Sequence, residues 1–234
     1  MPHWKTEDLQ QLLDEREPKQ IFACAVDLIQ KLDMEYLGLT LHLHACAKGP
    51  QVILYNNYPK SWNDRYQNEN FISMDPTILK CHLGELPFVW SDDLFRDVPH
   101  LREEAHAHGL TYGWTQSTHD LRHNESHLSV SRRSRAIDDE EHYEKCAATM
   151  WLCNTLHSLL SEYHLTHLYG LSVRELEVMD WCAKGKIAED IAKILRLSTS
   201  TVNFHIRSSI EKTNAANKTH AVAKLIESKQ ISPR

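Results

Sequence analysis

Along the first two-thirds of the chain the apolar positions change period several times. Leu37-Gly38-Leu39-Thr40-Leu41-His42-Leu43-His44 alternates strictly, and a period of two predicts a strand with one apolar face and one small or polar face. Gln51–Tyr55, Tyr112–Thr118 and Ser126–Arg132 carry strand signals as well. Helical spacing is found over Ile21–Leu32, Ser61–Gln67, Pro76–Leu83, Leu101–His108 and Asp139–Glu162. In the last of these Tyr143, Ala147, Met150, Cys153, Leu156 and Leu160 form a broad stripe. Half of that stripe is expected to cover the sheet. Strands interspersed with helices predict a mixed α/β layered domain, with His164–Gly170 as the linker that ends it.

Beyond the linker the pattern is helical throughout. Ser172-Val173-Arg174-Glu175 is a capping box, in which the Ser oxygen and the Glu carboxylate satisfy each other's backbone amides. The helix it opens runs through Leu176, Met179 and Ala183 to a stop at Gly185. A second helix is predicted over about Ala188–Leu195. After the break Arg196-Leu197-Ser198 a third follows over about Thr199–Thr213, with Ser198 as N-cap. Its residues Val202, Ile206 and Ile210 make an apolar stripe, and Ser200, Asn203, Arg207 and Glu211 make an adjacent polar arc. Asn and Arg on an exposed face can pair bidentately with adenine and guanine edges. Two helices joined by a short turn, the second carrying such a face, describe a helix-turn-helix. A small helical bundle with a solvated face fits the same periodicity. A fourth helix, about Lys218–Ser228, buries Ala221, Val222, Leu225 and Ile226.

Charge favours the first of those readings. The 234 residues carry 26 Lys+Arg and 32 Asp+Glu, a net charge of −6. Residues 167–234 hold 11 basic against 7 acidic side chains, and the remainder 15 against 25. A basic module on an acidic body implies a nucleic-acid partner for the module alone. No apolar run is long enough to span a membrane, and the polar start MPHWKTEDLQ lacks a secretory core. Cys24, Cys46, Cys81, Cys146, Cys153 and Cys182 show no CxxC spacing, so reduced, buried thiols in a cytoplasmic protein are expected.

The stretch from Asn56 to Phe95 is rich in aromatic residues. Trp62 and Tyr66 are spaced i, i+4 on one helix face, Trp90 adds a third large ring, and Asp75 stands before Pro76, where it suits an N-cap. An aromatic pocket with one carboxylate and an indole N–H suits an amide-bearing ligand. Taken singly, Asp75 reads first as a helix cap, and Trp62 and Tyr66 as core packing. The sixteen histidines suggest no metal site: His106 and His108 do not share a helix face, and His42 and His44 share a strand face with no third ligand. For Cys81-His82 the sequence places no orienting acid for catalysis, so neither an enzyme nor a cofactor is expected. Arg132-Arg133-Ser134-Arg135 is read as a solvated basic turn.

Two resemblances add to this. LSVRELEVMDWCAKGKIAEDIAKILRLSTSTVNFHIRSSIEKTNAANKTHAVAKLI resembles the DNA-binding domain of LuxR-type transcription regulators. Asp190, where the family usually has Glu, and the tail SKQISPR depart from the family pattern without touching the polar arc. The resemblance implies base contacts near Asn203 and Arg207, beside Ser200, and phosphate contacts from Lys184, Lys186, Thr199, Thr201, His205 and Lys218. Upstream, NYPKSWNDRYQ…DPT…FVWSDDLF…EEAHAHGLTYGWTQ…LSVS resembles the autoinducer-binding domain of the same family, in the subgroup that receives N-acyl-homoserine lactones. This implies that Trp62 donates to the lactone carbonyl, that Asp75 accepts the amide N–H, and that Tyr58 and Ser129 donate to the amide carbonyl. Tyr66, Trp90, Leu39, Leu110 and Ile78 would form walls. Thr40, Thr77 and Thr115 would be possible partners for a substituent on the acyl chain, and Gly113 would permit a close approach of backbone and helix. The implied fold is α+β, an N-terminal α/β/α sandwich around an antiparallel sheet (1–165) followed by a four-helix helix-turn-helix domain (166–234). The implied function is quorum-sensing transcription control by a homodimer on a near-palindromic double-stranded operator. Two alternatives stay open: DNA binding that is constitutive and released by ligand, or sequestration of a sister regulator.

Overall fold

The structure, a computed structural model, describes residues 4–44, 50–84 and 86–232; Cys46 lies outside the described residues. The chain divides into two compact units, Met1–Leu43 with Val52–Leu160, and His44–Gln51 with Ser161–Arg234.

The first unit is built on five strands, β1 (Tyr36–Leu43), β2 (Gln51–Asn56), β3 (Phe88–Val89), β4 (Tyr112–His119) and β5 (Glu125–Arg132), in the order β2-β1-β5-β4-β3. The pairings β1–β5, β5–β4 and β4–β3 are antiparallel. Register follows from the alternation. Leu39 sits opposite Leu128 and Trp114 opposite Val130, while Thr40 faces His127 and Thr115 faces Ser129. A slip of one residue would turn every leucine of β1 to the wrong side. Leu37, Leu39, Leu41 and Leu43 are at most 1% exposed. Their face of the sheet is met by α2 (Pro18–Gln30), which buries Ile21, Ala25, Leu28 and Ile29. It is met also by α6 (Asp139–His167), through Leu152, Cys153, Leu156 and Leu160. Polar atoms at that seam are paired: Trp114 Nε1 donates to Thr149 Oγ1 at 3.0 Å, and Thr118 Oγ1 to Asn154 Oδ1 at 2.7 Å. Tyr143, Met150 and Trp151 of α6 remain exposed. The small and polar face of the sheet is covered by α3 (Lys60–Asn68), a one-turn helix Phe71–Ser73, α4 (Pro76–Cys81) and α5 (Pro99–Ala107). A first helix, α1 (Thr6–Asp14), precedes α2.

Two expectations are corrected. The linker His164–Gly170 is helical through His167, because Leu165 is 3% exposed and its carbonyl accepts from Gln230 Nε2 at 2.9 Å, so packing carries α6 onward. The basic run is not wholly solvated. Arg132 is buried, and its guanidinium grips Glu141 through two hydrogen bonds of 2.7 and 2.6 Å. Asp33, 3.3 Å away, completes the pairing. Arg133 and Arg135 are exposed. The five described cysteines are free thiols.

The second unit holds α7 (Val173–Ala183), α8 (Ala188–Leu195), α9 (Thr199–Lys212) and α10 (Lys218–Glu227). The capping box forms as read, Ser172 N donating to Glu175 Oε2 at 2.7 Å. Gly185, at φ +77, supplies the left-handed turn after α7. Val178, Met179, Ile191, Val202, Ala221 and Leu225 close the core.

Candidate functional sites

A cavity of about 310 Å³ lies between the polar face of the sheet and the helices α3 to α5. Of the thirteen residues singled out for ligand binding, twelve line it: Leu39, Thr40, Tyr58, Trp62, Tyr66, Asp75, Thr77, Ile78, Trp90, Leu110, Thr115 and Ser129. Gly113 does not. It stands behind the wall, where an added Cβ would meet the Val130 carbonyl at 2.4 Å and the Trp90 ring at 3.0 Å. It therefore lets strand β5 and Trp90 close up, rather than a helix.

Asp75 is the polar centre. Asp-Pro geometry makes it the N-cap of α4, with Oδ1 accepting from Thr77 N at 2.8 Å and Thr77 Oγ1 at 2.7 Å. Tyr66 donates its hydroxyl to Oδ2 at 2.9 Å. Burial lifts the Asp75 pKa above the ordinary carboxylate range, against the pull of these three donors. Each carboxylate oxygen can accept more than one hydrogen bond, so the group caps the helix and still offers lone pairs. The Tyr66 and Thr77 hydroxyls are spent on Asp75, which leaves the Tyr66 ring as wall. Trp62 and Tyr66 meet at 5.5 Å between ring centroids, as their spacing predicts.

On the sheet side, Trp90 Nε1 donates to Thr115 Oγ1 at 2.8 Å, and Thr115 Oγ1 lies 2.8 Å from Ser129 Oγ. The indole can only donate. Thr115 thus accepts, can pass its own hydrogen to Ser129, and leaves the Ser129 hydroxyl hydrogen available to the cavity. Tyr58 approaches the sheet directly over Gly38: a Cβ there would fall 2.2 Å from the phenol oxygen. Burial, with Asp75 nearby, raises the Tyr58 pKa and holds it as a neutral donor.

The second candidate site is the surface of α9. Ser198 caps it, accepting from Thr201 N at 3.0 Å. Thr199, Ser200, Asn203 and Arg207 are exposed, while Thr201 and His205 are half-buried. Val202 is buried with Ile206 and Ile210 packed beside it, which turns the polar arc outward. Lys186 and Lys218 are exposed; Lys184 is exposed too, paired with Asp180 at 2.7 Å. Glu175 fastens α9 to α7, accepting from Ser208 Oγ at 2.6 Å and Lys212 Nζ at 2.7 Å.

Two regions of the chain match known families. Residues 17–160 match the autoinducer binding domain and residues 170–225 the bacterial regulatory proteins of the luxR family. The chain belongs to the LuxR family of quorum-sensing transcription regulators. The transcriptional activator protein AnoR of Acinetobacter nosocomialis is 29% identical, over 97% of this chain and 98% of AnoR. The regulatory protein SdiA of Escherichia coli is 34% identical over 81% of each chain. A crystal structure of SdiA superposes with a TM-score of 0.63, covering 95% of both chains at 29% identity, and another holds SdiA in complex with octanoyl-rac-glycerol. The N-acylhomoserine lactone dependent LuxR-family factor CepR2 of Burkholderia cenocepacia shares the fold of its ligand domain, with a TM-score of 0.59 over 66% of this chain and 92% of that one at 21% identity. No described helix is long and apolar enough to cross a membrane.

In this LuxR-family chain several lining residues escape sequence reasoning. Gly38 had a signal, since a glycine inside an alternating strand often marks close approach. Arg102 lines the cavity with its Nε and Nη1 making no hydrogen bond among the described residues, Nε 3.7 Å from Asp92 and the guanidinium over the Phe95 ring. His127 lines it from β5. Phe204, 63% exposed on α9, stands outside the polar arc.

Proposed function

We propose that this regulator is a cytoplasmic receptor for an N-acyl-homoserine lactone, residues 1–165 enclosing the ligand and 166–234 binding a near-palindromic operator as a homodimer. The observation that carries this reading is the half-buried, desolvated Asp75 carboxylate inside an aromatic cavity, with the neutral donors Tyr58 and Ser129 lining the same space. In the reading, Asp75 accepts the ligand amide N–H, Tyr58 and Ser129 donate to the amide carbonyl, and Trp62 donates to the lactone carbonyl. Tyr66, Trp90, Leu39, Leu110 and Ile78 enclose the rest. An acyl amphiphile in the cavity is supported by the octanoyl-glycerol complex of SdiA. On the DNA side, Asn203 and Arg207, with Ser200, reach base edges, and Lys184, Lys186, Thr199, Thr201, His205 and Lys218 contact phosphates. The exposed Tyr143, Met150 and Trp151 of α6 suit a subunit interface, and two recognition helices on one duplex face imply half-sites about 34–36 Å apart or a multiple.

Mass spectrometry of small molecules carried by the chain purified from a lactone-producing host tests the reading. An acyl-homoserine lactone is expected on the wild type and much reduced on Asp75→Asn. A wild type that carries none contradicts it.

A further inference from the structure

The polar face of the sheet does not end at the lactone cavity. The same alternation that places Thr40 opposite His127 places His42 opposite Glu125. Cys81, the last residue of α4, is tied to β4 by the hydroxyl of Ser117, which donates to its carbonyl at 3.2 Å. This tie delivers the next residue, His82, to the edge of that face. There His82 Nδ1 lies 2.9 Å, and His127 Nε2 3.4 Å, from Glu125 Oε2. One donor atom from each of the three residues falls within 4.8 Å of the others.

We propose that His82, Glu125 and His127 form a binding site for a borderline divalent transition ion of the Zn²⁺ class. Metal–ligand distances of about 2.0–2.1 Å put the corners of a tetrahedral shell about 3.3 Å apart. The two Glu125 contacts bracket that spacing, and the third pair, His82 with His127, lies within 4.8 Å. His127 is 4% exposed, and among the described residues its ring nitrogens make no hydrogen bond, Nε2 having only the 3.4 Å approach to Glu125. A buried imidazole without a hydrogen bond is costly, and an ion would take up the Nε2 lone pair. Two imidazoles and one carboxylate favour Zn²⁺, Co²⁺ or Ni²⁺ over Mg²⁺ and Ca²⁺, which prefer oxygen. Three protein ligands leave a fourth position for water. A separate cleft of about 330 Å³, lined by His82 and Glu125 with Ser117 and His119, gives an entry path. The His42 ring packs 4.9 Å from that of His127 and 5.7 Å from that of His82, centroid to centroid, which fixes both imidazoles. His127 also borders the lactone cavity, so an ion here would stiffen one wall of it. The site does not rest on the identity of the ligand in that cavity.

Calorimetric titration of the reduced full chain with Zn²⁺, and separately with Mg²⁺, tests this. His82 and Glu125 are not buried, so His82→Ala and Glu125→Gln are expected to keep the native circular dichroism. The wild type is expected to bind one Zn²⁺ with a rise in melting temperature, and to bind Mg²⁺ far more weakly. Each variant is expected to lose at least about 10–100-fold in Zn²⁺ affinity together with the thermal shift, while His106→Ala, on the exposed side of α5, binds as the wild type does. No Zn²⁺ binding to folded wild type, Mg²⁺ binding as tight as Zn²⁺, or Zn²⁺ binding unchanged in both ligand variants overturns the proposal.

Discussion

Asp75 does two jobs with one carboxylate. It ends the chain's turn into α4, and it holds the only carboxylate among the described residues that line the cavity. Its partner across the space, Tyr58, owes its position to a residue with no side chain. Gly38→Ala is expected to push the phenol away, since the added carbon would lie 2.2 Å from the hydroxyl oxygen. Loss of the hydrogen bond proposed from Tyr58 to the ligand is expected to lower lactone affinity by about tenfold, with the fold, read by circular dichroism, retained. Unchanged affinity would remove Tyr58 from the ligand's contacts. Elsewhere, the guanidinium of Arg132 and then the ammonium of Lys145 hold the Glu141 carboxyl down at about 2, against an ordinary 4.5. A depressed carboxylate stabilises the native state above the unfolded pKa, and that stability is lost as pH falls through the folded one. The wild type is therefore expected to lose stability between about pH 4.5 and 2, and Glu141→Gln to show a flatter profile there in pH-dependent thermal unfolding. At this scale the sequence shows what lies close along the chain: the Asp-Pro cap, the i, i+4 ring pair, the capping box. It does not show Arg102 or His127 in the cavity, Gly38 under Tyr58, or Arg132 on Glu141, because strand register and long-range packing bring these together.

Among the elements, the strong periodicities were legible and the weak ones were not. The leucine alternation of β1 and the helices of the second unit lie within two residues of their expected ends. Helix α1 escapes notice because Thr6–Asp14 buries only Leu12 and carries no strong cap. Strand β3 escapes because two residues give no period. Helix α9 shows how local and tertiary signals combine. Ser198 starts it, Val202 seats it, and Glu175 clamps its far half, a reach from α7 that the capping box alone does not announce. This leaves Asn203 and Arg207 on an outward face that is rigidly held. Arg207→Ala is expected to weaken operator binding by about 1–3 kcal/mol and to relax preference at one base position, in fluorescence-anisotropy titrations against a panel of substituted sites. Equal losses at every position would assign Arg207 to a phosphate instead.

For the molecule as a whole, we propose that a ligand completes the core of the first unit. A cavity of about 310 Å³ edged by a desolvated carboxylate and by guanidinium nitrogens that make no hydrogen bond among the described residues is a costly interior. A ligand that fills it and engages Asp75 raises native-state stability by mass action, by about 2.7 kcal/mol at a hundredfold excess over its Kd. Asparagine at position 75 still caps α4, so the empty variant keeps its fold while losing the amide's acceptor. The most direct measurement is thermal unfolding of the full chain, wild type and Asp75→Asn, titrated with acyl-homoserine lactones of graded chain length. A saturable rise in melting temperature for the wild type with at least one lactone, strongly reduced in Asp75→Asn, is the expected result; a wild type that melts at the same temperature with every lactone contradicts the account.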